Sequence, residues 1–431
     1  MANPSTRSRI AMISFHTCPL AAQEGKETGG MNVYVLELSK ELAKKGITID
    51  IFTRSQDPNN EEIVQISENL RVIHIVAGPT RSVAKKSLPH HLPEFIQNMT
   101  AFIQREQLQY QLLHCHYYLS GLIGLELQKL NAAKKIALSS NKKLPLIMTF
   151  HTLALMKNLV ARGELEKEDT LRIEAEFDLV KKADSIIAPS ESDASYLEYL
   201  YGSKANGADK VTIIPPGVDT TLFRPMEMSD ARAVVGGTDQ CKIVLFVGRI
   251  EPLKGIDMLM YAIKILTQQS PELSLQLWIV GGDISQPVSA WSHELQKLEQ
   301  LRKVLDLNAV VKFVGQRSQE QLPYYYNAAD VAVMPSHYES FGMAALEAMT
   351  CGVPVITTNV TGISGLIDER RQSLITSVNN PLLLASQIQY LLTHEKTHAE
   401  IRQELQEKVQ NLEWSKVAEQ VIKVYKKVSK S

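Results

Sequence analysis

Two carboxylates, Glu339 and Glu347, stand eight residues apart in the otherwise apolar stretch PSHYESFGMAALEAMTCGVPVI (335–356). An ionised carboxylate only accepts hydrogen bonds, so each can take two O–H groups from a vicinal diol, and such a pair suits a ligand with two separate sugars. Glu339 is expected in a loop after the strand DVAVMP. Glu347 is expected inside a helix that Gly342 begins, where Ala344, Ala345 and Ala348 leave room for a ligand. A helix N-terminus favours anions, so a diphosphate joining the two sugars fits between the glutamates. FVGRIEPLKG repeats the theme: Arg249 and Lys254 are expected about one helical turn apart at a helix start, able to hold a diphosphate and stabilise it as it leaves. In KETGGMNVYV, Gly29 and Gly30 precede a helix and let a ligand approach backbone N–H groups. No G-x-G-x-x-G follows, so the segment does not read as a nicotinamide-dinucleotide site.

These residues need strands and helices to hold them. RIAMIS, a helix from about Val33 to Lys45 closed by Gly46, and ITIDIFT make a βαβ opening. LLHCH, PLIMTF, SIIAPS and VTIIP continue the alternation. IIPPGVDTTLFRP then concentrates Pro and Gly, as a connection between domains does. A second series runs through KIVLFVG, LSLQLWIVGG, VVKFVG, DVAVMP and VPVITT. The expected fold is α/β, with two Rossmann-like doubly wound domains, residues 1–217 and 218–412, facing a central cleft. Residues 413–431 form an amphipathic helix, expected to pack back on the first domain. In such sheets ligands sit beyond the carboxyl ends of the strands.

The 431 residues carry a formal net charge of −1 and no long basic block, which argues against nucleic acid or a membrane surface as partner. Cys18, Cys115, Cys241 and Cys351 lack C-x-x-C spacing and read as thiols in a reducing compartment. No apolar run approaches the roughly 18 residues of a membrane span, so a soluble cytoplasmic protein is expected. His114 and His116 flank Cys115 on one strand face with no third ligand in view, and read as polar lining rather than a metal site.

Together these motifs resemble the retaining glycosyltransferases of family 4, which have the GT-B architecture. The resemblance covers essentially the whole chain. It implies that Glu339 of the E-x7-E motif binds the donor sugar and Glu347 the nucleotide ribose, that Arg249 and Lys254 bind the diphosphate, and that the backbone of Phe341, Gly342, Met343 and Ala344 forms the donor loop. It also implies that Gly30 sits against the diphosphate and transferred sugar, and His151 near the donor's 6-hydroxyl. The loop after VVKFVG, with Gln316 and Arg317, is where the base would be read, with UDP-glucose the expected donor and ADP-glucose the alternative.

Lys85, Tyr117, Thr152, Lys157 and Arg172 resemble the acceptor-phosphate positions of two branches of the family, the sucrose-phosphate synthases and the inositol-phosphate N-acetylglucosaminyltransferases of mycothiol synthesis. A dianion ringed by Lys and Arg gains charge-assisted hydrogen bonds about twice as strong as neutral ones. Gly29-Gly30-Met31-Asn32 departs from the Gly-Gly-Gln of sucrose-phosphate synthases and matches the mycothiol branch, which would turn Asn32 towards the acceptor ring. The Lys- and Gln-rich composition points the other way, and the reading leans towards fructose 6-phosphate. The resemblance thus implies UDP-glucose and fructose 6-phosphate as substrates, no metal or other cofactor, and a separate sucrose-phosphate phosphatase acting on the product. A nucleotide-sugar epimerase and a non-catalytic sugar-nucleotide sensor are the alternatives of other classes.

Overall fold

The computed structural model describes residues 8–21, 29–139, 143–204, 210–238, 240–360, 362–367, 374–394, 400–401, 403–405, 408–409 and 411–430. They cluster into two units, Met1–Gly217 with Trp414–Ser431, and Val218–Glu413.

The first unit is built on eight strands, β1 (Arg9–Ile13), β2 (Thr48–Arg54), β3 (Ile63–Ser67), β4 (Leu70–Ile75), β5 (Leu112–His116), β6 (Leu146–Thr149), β7 (Ser185–Ala188) and β8 (Val211–Ile213). They lie in the order β3-β4-β2-β1-β5-β6-β7-β8, parallel except for the antiparallel β3–β4 pair. β5, β6 and β7 are buried throughout, which is why they read as unbroken apolar runs rather than alternating ones. The crossover helices include α1 (Gly30–Lys44), α2 (Leu92–Arg105), α3 (Tyr118–Ala132), α4 (Ala154–Val160), α5 (Thr170–Lys182) and α6 (Glu191–Tyr199). Side-chain caps fix two starts: Asp169 accepts from the Arg172 N–H at 2.8 Å and Ser190 from the Asp193 N–H at 3.2 Å. Strand order reverses at β1, whose neighbours are β2 and β5, so the loops after β1 and β5 flank the switch point where ligands bind in such sheets.

The second unit has β9 (Lys242–Val247), β10 (Leu275–Val280), β11 (Val311–Gly315), β12 (Val331–Met334), β13 (Val355–Thr358) and β14 (Ile375–Thr376), all parallel, in the order β11-β10-β9-β12-β13-β14. Its helices include α7 (Met228–Val235), α8 (Ile256–Gln269), α9 (His293–Val304), α10 (Leu322–Ala328), α11 (Met343–Thr350) and α12 (Pro381–Thr393). Here the reversal falls at β9, between β10 and β12. The loops after β9 and β12 carry Arg249, Lys254 and Glu339.

The C-terminal helix, Trp414–Ser429, belongs to the first unit and packs on α1, where Lys45 also pairs with Glu419 at 2.9 Å. Its buried Trp414, Val417, Ala418, Val421, Val424, Tyr425 and Val428 recur at helical spacing, the stripe that its amphipathic sequence encodes. The chain passes between the units twice, side by side. A Cβ on Gly217 would lie 2.8 Å from Trp414 Cα, and the Val218 N–H donates to the Leu412 carbonyl at 2.8 Å. Among the described residues no helix is long and apolar enough to cross a membrane.

One expected boundary moves. The first helix begins at Gly30 rather than near Val33, because Gly29 caps it in an extended conformation and leaves Gly30 the first helical position.

Candidate active site

In the second unit, β9 ends at the switch point and Arg249 follows it, paired with Glu251 at 2.8 Å near the surface. Lys254 closes a short 3-10 turn, Pro252–Lys254, and Gly255 at φ +65° separates that turn from α8. The two cations therefore stand on a loop and a tight turn rather than along one α-helix start. The turn is held close to the β12 loop: a Cβ on Gly255 would lie 2.2 Å from the Pro335 carbonyl oxygen, so only glycine allows that approach. The Leu253 carbonyl accepts from the His337 N–H at 2.8 Å. Lys254 in turn bonds the Glu339 carboxylate. A cation and a carboxylate expected on different parts of one ligand thus neutralise each other.

Gly342, at φ +108°, caps α11, and Gly342, Met343 and Ala344 are partly accessible while Phe341 is buried. Glu347 lies one turn further on, only 6% exposed, and accepts from the Tyr326 hydroxyl of α10 at 2.8 Å. Burial pushes its carboxyl up to about 7, against hydrogen bonds from Tyr326 and Gln319 that pull it down. Arg317, after β11, lies over the Tyr325 ring and donates to its hydroxyl at 2.8 Å.

In the first unit four of the expected acceptor residues are linked through Arg172 and the carboxylate of Glu168. Arg172 on α5 is 1% exposed and lies 4.8 Å over the Tyr117 ring and 5.3 Å from that of Tyr118. Its guanidinium donates to Glu176 at 2.8 Å, to the Thr152 carbonyl and hydroxyl at 2.9 and 3.1 Å, and to Glu168 at 2.8 Å. Lys157 reaches the same Glu168 oxygen. Burial alone would raise the Glu168 carboxyl, but the adjoining Arg172 and Lys157 outweigh it and hold the group below the ordinary carboxylate range. Glu176 also accepts from the Ala154 N–H at 2.9 Å, fixing the start of α4 beside Thr152. Tyr117 and His151, at the ends of β5 and β6, both adopt positive φ, +73° and +62°. Such backbone costs about 1–3 kcal/mol per residue and persists where the surroundings impose it, typically at binding sites.

Two expected residues sit elsewhere. Asn32 is 4% exposed, with Oδ1 accepting from the Thr17 hydroxyl at 2.9 Å and Nδ2 donating to the Cys18 carbonyl at 2.6 Å. Its amide is used to fold the loop after β1 onto the start of α1, where Gly29 and Gly30 lie. Lys85 is exposed and begins a 3-10 turn, Lys85–His91.

The family models divide the chain as the units do. Glycosyltransferase Family 4 matches residues 28–222, and Glycosyl transferases group 1 matches 229–411. The D-inositol 3-phosphate glycosyltransferase of Corynebacterium efficiens is 34% identical over 420 residues, 97% of this chain and 95% of its own. The chain belongs to the family 4 glycosyltransferases, of GT-B fold. A solved relative, the sucrose-phosphate synthase of Thermosynechococcus elongatus, is 31% identical with a TM-score of 0.85, over 98% of this chain and 99% of its own. Anabaena HepE, solved in complex with UDP-glucose, shares the fold at 17% identity, with a TM-score of 0.71 over 97% of this chain and 99% of its own.

For this glycosyltransferase the buried Glu347 has a measurable signature. Its folded value of about 7 lies above the ordinary 4.5, so the folded protein holds the proton more tightly than the unfolded chain. Stability from this group is therefore complete below about pH 4.5 and is lost as pH rises through about 7, by about 3 kcal/mol at most. Glu347→Gln keeps an acceptor for Tyr326 but has no charge to bury. It is expected to melt higher than the native protein near pH 8, with the gap closing towards about pH 5. A gap that does not change with pH would remove burial of the charge as its cause.

The sequence reading missed Glu168 and Glu176, although their four-residue spacing on either side of Arg172 is a helix-face pairing signal. It also left His116 unconnected to His151, which no spacing could have joined: His116 Nδ1 lies 3.0 Å from His151 Nε2, from a different strand end. Among the described residues no group of three His, Cys, Asp or Glu is arranged to hold a metal ion.

Proposed function

We propose that the protein transfers a hexose from a nucleotide-diphosphate sugar, in the first instance glucose from UDP-glucose, to a phosphorylated acceptor with retention of configuration. The observation that carries this reading is the pairing of Lys157 and Arg172 on one Glu168 oxygen, with Tyr117 and Thr152 against the same Arg172 guanidinium. One carboxylate oxygen shared by an ammonium and a guanidinium occupies the kind of place a phosphate oxygen takes, and a dianion entering there exchanges for Glu168. In the second unit Glu339 and Glu347 suit the two sugars of the donor, and Arg249 and Lys254 its diphosphate, once Lys254 releases Glu339.

In the reaction the bond from the anomeric carbon to the diphosphate breaks, and the acceptor oxygen bonds to that carbon on the same face. The acceptor proton passes to the leaving phosphate oxygen, while Arg249 and Lys254 stabilise the charge that develops there. No carboxylate nucleophile and no resident metal are needed. With fructose 6-phosphate the product is sucrose 6-phosphate, which a separate phosphatase would then dephosphorylate. D-inositol 3-phosphate is the second reading, favoured by the curated relative at 34% identity. The Gly29-Gly30-Met31-Asn32 match supports the same reading, although the Asn32 amide is bonded within its own loop.

The test is to supply UDP-glucose in a chelator-containing buffer with fructose 6-phosphate or D-inositol 3-phosphate, and to follow UDP release and product mass. Sucrose 6-phosphate in the first mixture is the expected result. Turnover in the second alone moves the acceptor reading to inositol phosphate. Donor consumption with no acceptor would indicate an epimerase or hydrolase, and binding of UDP without any turnover, with either UDP-glucose or UDP-N-acetylglucosamine, would indicate a sensor.

A further inference from the structure

His114, His116 and His151 stack in the first unit, with ring centroids 4.3 Å apart for the first two and 5.2 Å for the second pair. Tyr34 closes edge-on against His151 at 5.1 Å and against Trp414 of the C-terminal helix at 5.4 Å. Burial lowers His114 and His151 to about 3, and His116 well below its ordinary value, so all three rings are neutral near neutral pH. A neutral imidazole has one N–H and one lone pair, and the partners decide which nitrogen holds the proton. His114 uses both nitrogens, Nδ1 with the Tyr425 hydroxyl at 2.7 Å and Nε2 with the Thr149 hydroxyl at 2.9 Å. His116 uses only Nδ1, towards His151 Nε2 at 3.0 Å, and its buried Nε2 has no hydrogen-bond partner.

That orphan nitrogen decides the direction of the bond. A proton on His116 Nε2 would bury an N–H with no acceptor, whereas a proton on Nδ1 leaves only an idle lone pair, the lesser cost. His116 Nδ1–H therefore donates to His151 Nε2, and the proton of His151 must lie on Nδ1. We propose that His116 is a positioning residue that fixes His151 as its Nδ1–H tautomer, so that His151 meets an oxygen of the bound nucleotide sugar as a hydrogen-bond donor. The inference rests on the donor-site reading of His151 given above and adds the residue that sets its polarity. The positive φ of His151 holds the ring at the strand end where the partner nitrogen of His116 meets it.

Two-bond ¹⁵N–¹H correlation spectra of the full chain labelled at histidine, with His151→Gln to assign the signal, read the tautomer without substrate. The native protein is expected to show His151 protonated at Nδ1. In His116→Phe, which keeps a ring but no nitrogen, the proton is expected to shift towards Nε2, and kcat for UDP release from UDP-glucose to fall about tenfold with acceptor KM unchanged. His116→Asn, whose amide reaches the position of Nδ1, is expected to retain the native tautomer and kcat within about twofold. A native His151 protonated at Nε2, or a tautomer unaltered in His116→Phe, overturns the inference. Unchanged donor turnover in His151→Ala overturns the donor-site reading instead, and the spectra, taken without ligand, distinguish the two failures.

Discussion

Arg249→Ala is expected to lower kcat for nucleotide-sugar consumption by about 10²–10³-fold, the usual effect of removing one group that stabilises charge developing in the transition state. The side chain is 39% exposed and its pairing with Glu251 lies near the surface, so the fold should barely register the change, within about 0.5 kcal/mol. KM for the donor should move less than kcat, because the charge on the leaving diphosphate grows only as the glycosidic bond breaks. Arg249→Lys should recover part of the loss, since an ammonium supplies charge without the bidentate fork. Steady-state kinetics with a thermal melt on the same preparation separate the cases. Native kcat in Arg249→Ala would remove this residue from the chemistry. Lys254→Ala is the less clean probe, because it also strips Glu339 of its partner.

Arg172→Ala should act first on stability, with a loss of about 3–5 kcal/mol. Glu176 is fully buried, and the guanidinium is its only ionic partner among the described contacts. Truncation would leave that carboxylate charged in a dry site, a far larger cost than the pair returns when intact. Arg172→Lys should rescue little, because one ammonium cannot reach Glu176, Glu168 and the Thr152 oxygens at once. Glu176→Gln should lose less, since glutamine leaves an acceptor for the Ala154 N–H. Hydrogen exchange of peptides covering α4 and α5 would localise the effect. Native protection of those peptides in Arg172→Ala would show that the buried network does not support this part of the unit.

The architecture was legible because parallel strands covered on both faces must be apolar throughout, and KIVLFV and LQLWIV say so directly. The position of Glu347 on a buried helix was legible for the same reason, from the alanines and Leu346 around it. The 3-10 turn ending at Lys254 was not, because PLKG permits either a helix start or a tight turn, and the close approach of Gly255 to the Pro335 carbonyl decides it. The hydrogen bonds of Asn32 to Thr17 and Cys18 were not legible either, because they are set by the fold of a loop. The histidine stack was out of reach altogether, since β5 and β6 become neighbours only when the sheet forms.

The helix from Trp414 to Ser429 is encoded after the entire second unit, yet it completes the first. During synthesis residues 1–217 leave the ribosome without the helix that brings Tyr425 to His114 and Trp414 to Tyr34. At about 5–20 residues per second, the intervening stretch keeps α1 uncovered for a time on the order of tens of seconds. Through that interval the nascent first unit has an open apolar groove and a histidine stack lacking one of its two hydroxyl partners, that of Tyr425. A chain cut short within the second unit would lose more than its donor-binding half: it would never close the other one.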